Sequence, residues 1–182
     1  MAARDLDEER IALGCPDGRD MANRYPDRTP QIGEMLMEVR NWSVMHPEQP
    51  RQVIRDVSLS VRKGEIVGIA GLMGSGRTEF AMSLFGRSWG TKITGKASVN
   101  GREVDVSTVQ RAIAAGLAYV TEDRKHFGLV LGESIAKNIT LANLKGVSKA
   151  RVIDNLKELK VAGDYRKRMR IRSSDVYQET GN

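Results

Sequence analysis

Apolar positions along the chain recur with strand spacing before any helical period appears. Met35 to Met45 and Val53 to Val61 read as half-buried strands. In the second, Val57, Leu59 and Val61 alternate with Asp56, Ser58, Ser60 and Arg62, the pattern of a sheet with one face on a core. Lys63-Gly64 supplies a turn. The next run, Ile66-Val67-Gly68-Ile69-Ala70, is apolar without alternation, which predicts a strand covered on both faces.

The period then changes. From Thr78 to Phe85, Ala81, Leu84 and Phe85 fall at helical spacing, and Gly86 sits where a helix end is expected. Asn100-Gly101, between Ala97-Ser98-Val99 and Val104, is a two-residue hairpin signal. Ser107-Thr108-Val109-Gln110 fits a capping box opening a short helix that Gly116 can close, and Leu117 to Thr121 reads as another strand. From Ser134 onward the reading is helical, with Val152, Leu156, Leu159, Ala162, Tyr165 and Met169 forming one apolar stripe. Residues 1–33 carry Pro16, Pro26 and Pro30 with Gly14, Gly18 and Gly33 and no sustained period, so they read as a linker or the tail of an upstream unit. No internal repeat is visible.

Composition narrows the class. The chain has 182 residues, 40% hydrophobic and 29% charged, which suits one globular domain and excludes a wholly disordered chain. The longest apolar run, Ile66 to Met73, is far short of the ~20 residues a bilayer-spanning helix needs. The N-terminus is too charged for a signal peptide, and the single cysteine, Cys15, cannot form an internal disulfide, so a reducing cytosolic setting is expected. The net charge of +6 is local: residues 1–33 hold five Arg against seven Asp and Glu, whereas Lys145 to Arg172 hold ten basic residues against three acidic ones. That stretch could serve nucleic acid or acidic headgroups, but its apolar spacing already explains it as the solvated face of an amphipathic helix. It lacks base-stacking aromatics, so no nucleic acid is expected.

The sharpest chemistry lies in Gly71-Leu72-Met73-Gly74-Ser75-Gly76-Arg77-Thr78, which fits G-x-x-x-x-G-K-[ST] except that Arg77 replaces lysine. An apolar run precedes it and a helix follows, the setting in which backbone N–H groups and a helix N-terminus surround phosphate oxygens. Glycines permit that close approach, and the Thr78 hydroxyl could reach a magnesium ion that also touches the phosphates. Arg77 keeps the charge but exchanges a slim point charge for a wide planar fork, so nucleotide binding should survive more readily than hydrolysis. A dinucleotide fold is a poorer rival, because it would put Glu79 where a third glycine belongs.

At these residues the chain resembles the ATP-binding subunits of monosaccharide ABC importers, in which two nucleotide-binding cassettes share one polypeptide. The likeness is to the second cassette. It rests on Gly64 to Glu79, on Tyr119-Val120-Thr121-Glu122-Asp123-Arg124-Lys125, which looks like a Q-loop with Glu122 in the place of glutamine, and on Asn138-Ile139-Thr140-Leu141-Ala142-Asn143-Leu144, which fits a helical subdomain. Arg24-Tyr25-Pro26 resembles the end of an inter-cassette linker. The resemblance implies a P-loop α/β fold of ABC type over residues 34–182, with a helical subdomain over 129–177 and the C-terminal sheet strands missing. It implies ATP and Mg2+ as cofactors, held by Gly71, Gly74, Ser75, Gly76, Arg77, Thr78 and Glu79, with Thr78 on the metal. It places Glu122 near the metal and attacking water, and an adenine-stacking aromatic at or near His46, with Trp42 a competing candidate.

The implied partners are membrane permease subunits, a first cassette and, indirectly, a sugar-binding protein, with the chain peripheral on the cytoplasmic face of the membrane. The family's Leu-Ser-Gly-Gly signature, its Asp-Glu strand end and its switch histidine do not occur in the sequence, so no autonomous ATPase activity is expected. An alternative is a non-hydrolytic assembly module, whose nucleotide site only stabilises docking; Arg77 and Glu122 favour it. The sugar is not legible in these residues.

Overall fold

The computed structural model describes residues 29–181, in two compact units, one ending at Leu117 and one beginning at Ala118. The linker reading of residues 1–33 lies, up to residue 28, outside the described residues, as do Cys15 and Arg24-Tyr25-Pro26.

The first unit is built on an antiparallel sheet of β1 (Met35–Met45), β2 (Gln52–Arg62), β3 (Thr91–Val99) and β4 (Arg102–Glu103), ordered β2-β1-β3-β4. Helices α1 (Arg77–Leu84) and α2 (Val109–Ala114) supply the rest of its core. Val39, Trp42 and Val44 of β1, Ile54 of β2 and Ala97 of β3 cluster with Phe80 and Leu84 of α1, Ala112 of α2 and Val106. The Asn100-Gly101 hairpin forms as its sequence predicts, with Ser98 opposite Glu103 and both turn residues at positive φ, 51° and 73°. Helix α1 ends as expected too, with Phe85 at its C-cap and Gly86 at φ 76°.

One feature of the sheet breaks simple alternation. Val39 and Trp42 both enter the core, although an odd separation should put them on opposite faces. A register shift between them, with Asn41 at φ 52°, restores the inward direction. Side chains stitch this bulge to one in β2: Asn41 Nδ2 donates to Asp56 Oδ1 at 2.7 Å, and the Asp56 amide donates to Ser43 Oγ at 2.9 Å. On the other flank Gly95, at φ 109°, lies so close that a Cβ there would stand 2.7 Å from the Asn41 carbonyl oxygen and from Trp42 Cα.

Three local expectations are corrected. Neither Ile66–Ala70 nor Leu117–Thr121 is a strand. A strand exists only as the hydrogen-bonded neighbour of another, and among the described residues no ladder partner runs beside either segment. Ile66 and Ile69 are therefore exposed, at 77% and 50%, rather than covered. The cap of α2 is Thr108, whose side chain accepts from the Arg111 amide, and not Ser107, whose amide instead donates to Asp105 Oδ1.

In the second unit, a tight turn over Arg124–Gly128 leads to α3 (Ile135–Thr140), a 3-10 stretch Leu141–Val147, a hairpin of β5 (Ser148–Lys149) and β6 (Val152–Ile153), and α4 (Asn155–Arg168). Ser134 caps α3 through the Lys137 amide and Asp154 caps α4 through the Lys157 amide. The chain then returns: the Ile135 and Ala136 amides donate to the Gln178 and Val176 carbonyls, and the Thr180 and Gly181 amides to Glu133 and Leu131. The continuous helical reading from Ser134 is thus interrupted, because β5 and β6 turn through Ala150 and Arg151 at φ 49° and 67°. The apolar stripe is also divided: Ala162 is buried and Leu159 half-buried, while Val152, Leu156, Tyr165 and Met169 are exposed. Among the described residues no helix is long and apolar enough to cross a membrane.

Candidate functional site

The glycine loop runs directly into α1, and its shape follows from its residues. The Ser75 amide donates to the Leu72 carbonyl at 3.1 Å, Gly74 takes φ 76°, and Gly76 takes φ 92° as the N-cap of α1, without a capping side chain. The first intrahelical bond of α1 runs from the Phe80 amide to the Gly76 carbonyl at 2.8 Å, so the amides of the first turn open toward the loop. Gly76 is buried on β2: a Cβ there would stand 2.9 Å from Ile54 Cδ1 and 3.5 Å from Val53 Cγ1. At Gly71 a Cβ would fall 2.6 Å from Ser75 Oγ and 3.5 Å from Arg77 Cδ. The Arg77 side chain thus crosses Gly71, bringing its guanidinium 3.5 Å from the Leu72 carbonyl oxygen.

These contacts test whether a nucleotide phosphate fits. The loop is a backbone cradle in which a side chain at 71 would collide with Ser75 and meet Arg77, and one at 76 would collide with the strand beneath; it ends at a helix N-terminus with Glu79 in the first turn, and it carries a cation in Arg77. It fits. Thr78, the second residue of α1, is half-buried. Among the described residues no group of three His, Cys, Asp or Glu could hold a metal alone, so a magnesium ion here would depend on the Thr78 hydroxyl together with phosphate oxygens.

Two residues beyond the motif hold the loop's helix in place. Trp42 Nε1 donates to Ser83 Oγ at 2.9 Å, and Ser83 Oγ donates to the Phe80 carbonyl at 2.8 Å, all inside the core. That bond ties α1 to β1. Sequence reasoning missed it, since the polar Ser83 in a short helix gives no sign of an indole partner 41 residues away. It also corrects the adenine-stacking candidates: Trp42 is 1% exposed and its ring belongs to the core.

His46 sits where β1 turns toward β2 and is half-buried. Its Nδ1 accepts from the Glu48 and Gln49 amides at 3.1 and 3.0 Å, which fixes the ring and puts a neutral imidazole's proton on Nε2. The ring meets Trp89 edge to face, 5.6 Å between centroids. Glu122 lies in the second unit, exposed, immediately before the Arg124–Gly128 turn. The neighbouring Asp123 organises that turn: its Oδ1 accepts from the Lys125 and His126 amides at 3.1 Å, and its Oδ2 lies 2.6 Å from His126 Nδ1. The His126 amide and ring, then the Lys125 amide, hold the Asp123 carboxyl below its ordinary range.

The sheet, the glycine loop and the helix behind it define a P-loop nucleotide-binding domain of mixed α/β type. The ABC transporter family profile matches residues 54–176, and the chain belongs to that family. Among curated relatives, the chain is 52% identical over 176 residues to the L-arabinose transport ATP-binding protein AraG of Geobacillus stearothermophilus, covering 96% of this chain and 34% of that protein. It is 46% identical to the xylose import ATP-binding protein XylG of Geobacillus kaustophilus, covering 92% and 33%. It is 40% identical to the ribose import ATP-binding protein RbsA of Bacillus cereus, covering 88% and 31%. The chain spans about a third of the length of the curated relatives it matches.

Proposed function

We propose that this chain is part of the ATP-binding component of a monosaccharide importer, coupling ATP binding and hydrolysis to transport through membrane permease subunits. The observation that carries the reading is the Gly71–Thr78 cradle at the start of α1, within a chain whose relatives are named as arabinose, xylose and ribose transport ATP-binding proteins. In this reading the backbone of Gly71, Gly74, Ser75 and Gly76 surrounds the phosphates, and the backbone amides of the first turn of α1, that of Glu79 among them, orient them. Arg77 swings its guanidinium off the Leu72 carbonyl to meet them, as its exposed position permits. Thr78 shares a magnesium ion, which would draw charge from the phosphate oxygens.

His46 offers its fixed imidazole to the adenine ring, and Glu122 has a Q-loop role. The first cassette of the same polypeptide, the permease and a sugar-binding protein are the proposed partners, with the chain on the cytoplasmic face of the membrane. The domain reading, a cassette over 34–182 with a helical subdomain over 129–177, belongs to this proposal.

Titration of the 182-residue chain with a fluorescent ATP analogue and magnesium tests the core of the reading. The expected result is saturable binding that Gly76→Val abolishes, because a branched side chain at φ 92° would collide with Ile54 and Val53 and push the loop off the sheet. Phosphate release should stay at the level of a no-protein control. Unchanged affinity in a Gly76→Val chain with native circular dichroism overturns the assignment.

A further inference from the structure

The end of α4 collects positive charge that the nucleotide site does not use. Arg166, Lys167, Arg168, Arg170 and Arg172 are basic, and of these only Arg166 makes side-chain hydrogen bonds among the described residues, with its Nε on Ser173 Oγ at 2.9 Å and its guanidinium on the Ser174 carbonyl at 3.0 Å. The other four are exposed, and among the described residues none meets a carboxylate. Arg168 stands over the Tyr165 ring, 5.5 Å from its centroid. Between the cations, Met169 and Tyr165 are 67% and 43% exposed.

The macrodipole of α4 accounts for cations in its last turn. It does not account for those past the helix end. There the Arg170 amide donates to the Lys167 carbonyl at 3.2 Å and the Ile171 amide to the Arg166 carbonyl at 2.9 Å, a helix-ending motif whose left-handed position is usually glycine. Here it is Arg170, at φ 53°.

We propose that this corner of the second unit, Lys167, Arg168, Arg170 and Arg172 with Met169 and Tyr165 among them, docks on the anionic headgroups of a phospholipid bilayer. Clustered Lys and Arg are drawn to a negative leaflet, and an exposed thioether and phenol ring suit the boundary between headgroup and acyl chain. Nucleic acid is the weaker occupant, because the patch offers a single ring on which a base could stack. The inference rests on the importer reading only in bringing a bilayer near the chain, and its test uses neither nucleotide nor permease.

The test is sedimentation of the 182-residue chain with vesicles of phosphatidylcholine alone or with added phosphatidylglycerol, at low and high salt. Binding should require phosphatidylglycerol and weaken with salt. Joint Lys167→Gln and Arg172→Gln should lower partitioning about thirty-fold, the change that ~1 kcal/mol per basic residue gives. Arg170→Gly is the decisive variant: it should raise thermal stability by removing the left-handed arginine, yet lower partitioning about fivefold. Arg55→Gln with Arg62→Gln, exposed cations of β2, should leave partitioning within about twofold. Equal binding to both vesicle types, or binding insensitive to the three patch substitutions, overturns the proposal. Oligonucleotide binding through the same residues without vesicle binding overturns it in favour of nucleic acid. Loss of ATP binding with vesicle binding intact would strike the importer reading alone.

Discussion

Replacing Ser83 by alanine should show how firmly the helix that follows the glycine loop is held to its sheet. The Ser83 hydroxyl is the acceptor for the Trp42 indole N–H at 2.9 Å, and both side chains lie at or below 1% exposure, where water cannot substitute. Ser83→Ala leaves that donor buried without a partner, which costs about 1–3 kcal/mol. With a urea dependence of roughly 1–3 kcal/mol per molar, the unfolding midpoint should fall by about 1 M. Trp42→Phe removes the donor and part of the ring, and is itself destabilising through the space it leaves. The two changes must not add: with phenylalanine at 42 no donor remains to be orphaned, so Ser83→Ala should then cost under ~1 kcal/mol, a coupling of about 1–2 kcal/mol. Far-UV circular dichroism in urea on the four proteins measures this without relying on tryptophan fluorescence, which Trp89 would confuse. If Ser83→Ala costs the same in both backgrounds, the indole bond is not what fastens α1, and the reasoning fails.

Gly95→Ala should destabilise the first unit by about 3 kcal/mol or more, since the new Cβ meets only backbone atoms of Arg40, Asn41 and Trp42 and φ is 109°; a urea midpoint near that of the unaltered chain contradicts this. Asn138→Ala should cost about 2 kcal/mol and speed hydrogen exchange at the Ile135, Ala136, Thr180 and Gly181 amides. The Asn138 amide group accepts from the Val130 amide and donates among the Val130, Glu133 and Ser134 carbonyls and Thr180 Oγ1, so exchange at those four amides is the readout. For Asp123 the folded carboxyl is held low, so its contribution to the Arg124–Gly128 turn is present above the unfolded value of about 3.9 and lost as pH falls through the lower folded value. The Lys125 and His126 amide resonances should therefore move as pH falls below that value, and Asp123→Asn should remove this acid movement.

Much of the candidate site was legible in order along the chain. The glycine loop is a local object: the spacing of Gly71, Gly74 and Gly76, the hydroxyl of Thr78 and the start of α1 lie within a few residues, so sequence and geometry describe the same feature. The hairpin at Asn100-Gly101 and the helix start at Ser134 are local in the same sense. What lay outside that reach depended on residues distant in sequence. The strand expected at Ile66–Ala70 has the composition of one, but a ladder needs a neighbour, and apolar runs cannot report whether one is present.

By itself, then, the sequence determined the glycine loop, its helix, the two long strands and the ABC-type resemblance, because propensity, turn chemistry and motif spacing act over a few neighbouring residues. Only the tertiary structure decided that Trp42 belongs to the core rather than to a ligand. A bulge at Asn41, braced by Asp56 and Ser43 and crowded by Gly95, turns the ring inward against the two-residue period, and Ser83 then receives its N–H. In the second unit it decided which members of one apolar stripe are buried, Ala162 against its neighbours and Met169 and Tyr165 to solvent among cations. The reason is the same in both units: burial and side-chain pairing are set by which segments pack together, and that is a property of the folded chain rather than of its local pattern.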